Sequence, residues 1–157
     1  MKKILMALDH SPLAKNIAAQ GHAYCNADNN EIIALHVIDN VMEFSSLMYD
    51  PVMGFRGFDQ VAFSMSNPLS NIENEANKFL QQIKIQLKGH EIKTIIKHGK
   101  IVDTILETAE KEMCQLIMIG IRRRRSSGEI IIGKTAYNLI KRSTIPILIL
   151  PIKRKNH

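Results

Sequence analysis

One pattern limits what this chain can fold into more than any other. Five short apolar runs, at 4–8, 31–39, 91–97, 115–120 and 145–150, alternate with segments whose apolar residues recur every three to four positions. Near-continuous hydrophobicity over such short runs is what a strand covered on both faces needs, and the interleaved period is that of an amphipathic helix. Leu13, Ile17, Gln20 and Tyr24, with Ala14, Ala18 and Gly21 beside them, make the first helical stripe. Ser11-Pro12 reads as its N-cap and first helical position. Ser70 to Glu73 has the form of a capping box, followed by Ile72, Ala76, Phe79, Leu80, Ile83 and Leu87 on one face, with Gly89 as the stop. Ile101, Ile105, Ala109 and Met113 form a third stripe, and Ala136, Leu139, Ile140 and Ser143 a fourth. Parallel strands need a crossover helix between them. The alternation therefore predicts an α/β fold: a single Rossmann-like domain over 1–157, with a five-stranded, mainly parallel sheet and helices on both faces.

The alternation is interrupted once. Residues 40–70 follow no regular period and contain Pro51, Pro68, Gly54, Gly57 and several serines. The same stretch holds Phe44, Phe55, Phe58 and Phe63 and Met42, Met48, Met53 and Met65. A loop of this length is unusual inside a compact domain, and its apolar content sets it apart from a disordered linker. It is expected to cover a site or to contact a partner.

Charge is uneven along the chain. Residues 1–78 carry five Lys/Arg and nine Asp/Glu, net −4, whereas 79–157 carry sixteen and six, net +10. A basic half points either to an anionic partner or to a solvated face. The apolar stretch at the N-terminus stops at Asp9, too short for a secretory signal, and no run approaches the ~20 residues that span a bilayer. A cytoplasmic protein is expected. Cys25 and Cys114 have no metal-type spacing and read as buried thiols; the six histidines show no zinc pattern.

In sheets of this kind, ligands sit beyond the carboxyl ends of the strands where the strand order reverses. Asp9, Val37 to Asp39, and Gly120 onward occupy such ends. The segment after Gly120 is the most informative: a strand, a glycine, the basic run Arg122 to Arg125, then Gly133-Lys134-Thr135 opening a helix. Glycine lets backbone approach a ligand closely, and a helix N-terminus offers unpaired N–H groups to an anion. These features describe a phosphate site. Gly128 to Thr135 also satisfies the spacing of a P-loop, but Ile130, Ile131 and Ile132 are poor occupants of a tightly curved phosphate nest, and the segment does not follow the first strand. No nucleophile elbow or other catalytic signature is present.

At this point the chain resembles the universal stress protein family over almost its full length. Lys3 to Ser11 resembles the family's first strand and its acidic residue, and Leu35-His36-Val37-Ile38-Asp39 its second strand. His98-Gly99 with Asp103 to Ala109 resembles the middle, and Ile145-Pro146-Ile147-Leu148-Ile149-Leu150 the closing strand. Nucleotide-binding members share G-x2-G-x9-G-[ST]. Gly120 and Gly133 match its first and third glycines; Arg123 stands at the second and Lys134 at the Ser/Thr place, with Thr135 next. The resemblance implies that Ala7, Leu8 and Asp9 border base and ribose, that Val37 offers backbone contacts to adenine, and that Ile119 and Gly120 flank ribose and phosphates. It places Arg122, Arg123, Gly133, Lys134 and Thr135 at the phosphates. It implies ATP or another adenine nucleotide as ligand, with Mg able to accompany the nucleotide, with little or no catalysis, and a homodimer through Ile147, Leu148, Ile149 and Leu150. Three readings stand at this level: a nucleotide-binding stress regulator, a family member that acts only through protein contacts, and a nucleic-acid binder using Arg122 to Arg125. The last lacks aromatics interleaved with its basic residues, so no specific nucleic-acid function is expected.

Overall fold

A computed structural model describes residues 2–11, 13–25, 30–39, 68–87, 92–122 and 129–152. The elements alternate as the pattern demands: β1 (Lys3–Ala7), α1 (Ala14–Cys25), β2 (Glu31–Ile38), α2 (Pro68–Gln86), β3 (Ile92–His98), α3 (Ile101–Lys111), β4 (Leu116–Arg122), α4 (Lys134–Arg142) and β5 (Ile147–Ile152). The five strands form one sheet in the order β3-β2-β1-β4-β5, and all four pairings are parallel. The chain builds outward from β1 to β3, then returns to the other side of β1 to lay down β4 and β5. The strand order thus reverses between β1 and β4, where Ile4 to Ala7 pair with Leu116 to Ile119.

Side chains alternate along each strand and sort the core into two layers. Ile4, Met6, Leu8, Ile32, Ala34 and Met118 pack with Ile17, Ala18, Phe79, Leu80 and Ile83, so α1 and α2 cover one face. Leu5, Ile33, Leu35, Ile117, Ile119 and Ile121 pack with Ile105, Ala109, Ala136 and Leu139, so α3 and α4 cover the other. β1 and β4 lie inside the sheet under both layers, which is why their sequences are apolar at consecutive positions.

Local readings needed correction where tertiary contacts chose the helix face. The buried side of α1 is Ala14, Ile17, Ala18, Gly21 and Cys25, while Tyr24, expected on the stripe, is 71% exposed. Small residues let α1 approach the sheet closely: a Cβ added at Gly21 would stand 2.8 Å from Met6 Cε. Ser11 does not cap that helix with its side chain; its hydroxyl donates to Asp9 Oδ1 at 2.6 Å. α2 begins at Pro68, one of the residues favoured at a first helical position, so Ser70 lies inside the helix rather than at its cap. Ile140, expected in the core, is exposed on α4. Pro151 lies within β5, opposite Ile121. Cys25 and Cys114 are buried free thiols, and burial pushes the Cys25 thiol up to about 11. Residues 40–67, 123–128 and 153–157, which include Arg123 and most of the expected covering loop, lie outside the described residues.

Met113 is a further correction. It falls past the end of α3 rather than on its buried face, is 72% exposed, and has φ 56°. The turn it makes closes the helix: Cys114 N–H donates to Ala109 O at 2.8 Å and Met113 N–H to Glu110 O at 3.0 Å. Glycine is the usual residue at a helix end in this left-handed conformation, because a Cβ there crowds the backbone. Met113→Gly should therefore stabilise the protein by about 0.5–1 kcal/mol in urea unfolding, despite the added chain entropy of glycine. A loss of stability would contradict the geometry.

Candidate functional site

A cavity of about 270 Å³ lies at the carboxyl ends of β1 and β4, at the reversal point of the sheet. Ala7, Leu8 and Asp9 from the end of β1, Leu35 and Val37 from β2, and Ile119 and Gly120 from β4 form its floor and one wall. Ile17 from α1, Ile101 and Ile105 from α3, and Thr135, Ala136 and Leu139 from α4 complete it. Among these, Ala7, Leu8, Asp9, Val37, Ile119, Gly120 and Thr135 were singled out from the sequence. The cavity lies where an open parallel sheet ordinarily receives its ligand. At about 270 Å³ it is at the lower end for small-molecule sites.

Two polar side chains face an otherwise apolar lining. Asp9 follows the last residue of β1, and its carboxylate is oriented by the Ser11 hydroxyl. Thr135 stands in the first turn of α4. That helix starts at Gly133, whose φ of −70° and ψ of 166° are extended, and its first turn has neither a side-chain cap nor an acidic residue. The first intrahelical bond runs from Tyr137 N–H to Gly133 O, at 2.9 Å. The N–H groups of the first turn thus point out of the helix, next to Thr135 and Ala136 in the cavity wall. This geometry, with the positive end of the helix dipole behind it, suits an anion.

The remaining expected residues divide. Gly133 and Lys134 are exposed at the start of α4 and do not line the cavity. Among the described residues, nothing lies within 4 Å of a Cβ placed at Gly133, so their packing does not require a glycine there. Gly120 is different: an added Cβ would overlap the Ile17 side chain, so β4 and α1 meet closely because residue 120 has no side chain. Arg122 ends β4, and Arg123 lies outside the described residues.

The sequence reading missed Ile17, Leu35, Ile101, Ile105, Ala136 and Leu139. All six were visible as members of apolar stripes or runs, but nothing in their spacing separates a residue that fills a core from one that walls a cavity. Ile101 opens α3 directly after Lys100 and Gly99. Gly99 has φ 146°, and its N–H donates to Ile38 O at 3.1 Å, which turns the chain sharply from β3 into the helix that brings Ile101 and Ile105 to the site. An Arg142–Asp103 ion pair of 2.6 Å joins α4 to α3 across the same layer. Among the described residues, no group of three or more His, Cys, Asp or Glu could hold a metal ion, and no helix is long and apolar enough to cross a membrane.

The sequence model described as the Universal stress protein family matches residues 1–151. Universal stress protein MJ0577 of Methanocaldococcus jannaschii is 31% identical over 158 residues, covering 99% of this chain and 96% of the relative. A solved structure of MJ0577 superposes with a TM-score of 0.68 at 30% identity, covering 99% of this chain and 98% of that one. The same fold recurs in a universal stress protein from Archaeoglobus fulgidus in complex with dAMP, at 16% identity and a TM-score of 0.63, covering 95% of this chain and 97% of that one. It recurs also in a universal stress protein in complex with cAMP, at 15% identity and a TM-score of 0.62, covering 96% of each chain.

Proposed function

Because the chain belongs to the universal stress protein family, we propose that it is a nucleotide-binding stress-response regulator that holds ATP or another adenine nucleotide in the cavity at the ends of β1 and β4, with little or no catalysis. The observation that carries this reading is the joining of three features in one place. An apolar slot lies beside a carboxylate, Asp9, and opens beside the uncapped first turn of α4. An aromatic base fits the apolar slot, Asp9 accepts hydrogen bonds from ribose hydroxyls or base amino groups, and the phosphates lie toward Thr135 and the N–H groups of α4. Relatives of the same fold in complex with dAMP and cAMP support an adenine ring as the common element. Gly133, Lys134, Arg122 and Arg123 belong to this reading as the phosphate end. Mg²⁺, where present, would arrive with the phosphates. A cytoplasmic location belongs to the same proposal.

Calorimetry with ATP, ADP, AMP and adenosine tests the reading. Heat of binding and a raised melting temperature are expected; neither at millimolar nucleotide would overturn it in favour of a family member that works through protein contacts alone. Lys134 is exposed at the phosphate end, so only the phosphates would feel its charge. Lys134→Ala should weaken ATP by about threefold to fivefold, the range of an exposed ionic contact, and leave adenosine unchanged. Equal weakening of both would move Lys134 away from the phosphates.

A homodimer through β5 completes the proposal. β5 is an edge strand, with Ile147, Leu148 and Ile149 half-buried and Leu150 buried. Open edge groups on an apolar strand invite a second chain, and antiparallel pairing about a two-fold axis would satisfy both edges. Pro151 has no N–H to donate, which confines the pairing to the residues before it. A monomeric mass by light scattering at micromolar protein would reject this.

A further inference from the structure

We infer that His36 is a positioning residue of the nucleotide site, setting the backbone that carries Asp9 from the opposite face of the sheet. The inference rests on the proposed nucleotide reading for its ligand, but its geometry stands independently.

The β1–β2 register ends at Ala7 opposite Leu35. One residue further, Leu8 N–H donates to Leu35 O at 2.9 Å. The Leu8 carbonyl then accepts from His36 Nδ1 at 2.8 Å. Leu8 is thus gripped at both of its backbone polar groups by neighbouring residues of β2. The grip on the carbonyl orients the Leu8–Asp9 peptide, and through it the carboxylate that lines the cavity.

His36 does not itself line the cavity. Leu35 and Val37, its neighbours in β2, face α3 and α4, so His36 projects toward α1 and α2. It is 6% exposed. Its ring packs edge-on against Phe79 of α2 at 5.6 Å and 67°, and against His10 at 6.1 Å and 75°. His10 in turn packs on Phe79 at 4.9 Å. The rings hold the imidazole in the plane that aims Nδ1 at Leu8. A carbonyl oxygen can only accept, so Nδ1 must carry hydrogen in this contact. An apolar residue would fill this position at lower desolvation cost, but it would leave the Leu8 carbonyl without its buried donor.

Two variants separate positioning from packing. His36→Leu fills the space without a donor, and His36→Asn places an amide N–H near where Nδ1 stands. In ligand-free protein, nitrogen-detected NMR of the ring should report hydrogen on Nδ1; a neutral ring protonated only at Nε2 would overturn the inference. Amide hydrogen exchange at Asp9 to Ser11 should rise about tenfold in His36→Leu, with the centres of β1 and β4 unchanged, and should return toward wild type in His36→Asn. With adenosine as probe, His36→Leu should bind about tenfold more weakly, the worth of one buried hydrogen bond, and His36→Asn within about threefold of wild type. Equal losses of affinity in the two variants would reduce His36 to a packing residue. Absence of adenosine binding in the wild type would count against the nucleotide reading, leaving the tautomer and the exchange pattern to decide the role of His36.

Discussion

Gly120→Val is expected to destabilise the protein by about 1–3 kcal/mol and to abolish ligand binding. Gly120 sits in β4 at the reversal point of the sheet, where α1 crosses over it. A Cβ at this position would overlap the Ile17 side chain, and both residues line the cavity. The new side chain must displace Ile17, which is 6% exposed and packed in the core, or fill the cavity itself. Overpacking of this kind costs about 1–3 kcal/mol, and the preference of valine for strands offsets only a fraction of it. Ile17→Ala alone should cost about 2–5 kcal/mol through the space it leaves. In the double variant the valine would occupy part of that space. The two changes should then cost less together than their sum, by about 1 kcal/mol or more. Urea unfolding of the four proteins closes the cycle. Strict additivity would show that residues 17 and 120 do not compete for the same volume.

Asp9→Ala is expected to weaken adenosine and ATP alike, by about tenfold to a hundredfold. A hydrogen bond to a charged acceptor contributes about 1.5–3 kcal/mol, and removing the acceptor forfeits that for any ligand presenting the same donors. The equality is the informative part. Lys134 at the mouth of α4 should discriminate by phosphate; Asp9, at the β1 end of an apolar slot, should not. Ser11→Ala provides the control, because the Ser11 hydroxyl orients Asp9 Oδ1 without reaching the cavity lining, and its loss should cost several-fold less. Unchanged adenosine affinity in Asp9→Ala would remove the carboxylate from the site. A loss confined to ATP would place it at the phosphates.

Much of the architecture was legible because the information that builds it is local. The apolar runs at 4–8 and 115–120 can only be satisfied under cover from both sides, and β1 and β4 lie in the middle of the sheet. The ends of those strands carried Asp9 and Gly120, and the Gly133 helix start carried Thr135; these were readable from residue type and spacing. Helix faces were less legible. Tyr24 and Ile140 fit an apolar period but point outward, because the depth at which α1 and α4 dock decides which arc of each helix is covered. Met113 fit the period of α3, yet the helix ends before it, since a helix stops where its last carbonyls find partners in the turn.

The sequence by itself determined that this chain alternates strands and helices around a parallel sheet, and that Asp9 stands at a strand end and Thr135 at a helix start. Both follow from periodicities and residue chemistry that operate over a few positions. The tertiary structure alone decided the order β3-β2-β1-β4-β5, and with it the cavity at the carboxyl ends of β1 and β4. It also decided that Ile17, Ile101, Ile105 and Leu139 wall that cavity, and that His36 reaches Leu8 across 28 residues of chain. An isoleucine on a helical stripe has the same local signature whether it packs on a strand or faces a gap. A buried histidine likewise does not announce in sequence which carbonyl it will hold. Those assignments depend on where the crossovers return the chain, and that is settled by packing between distant segments.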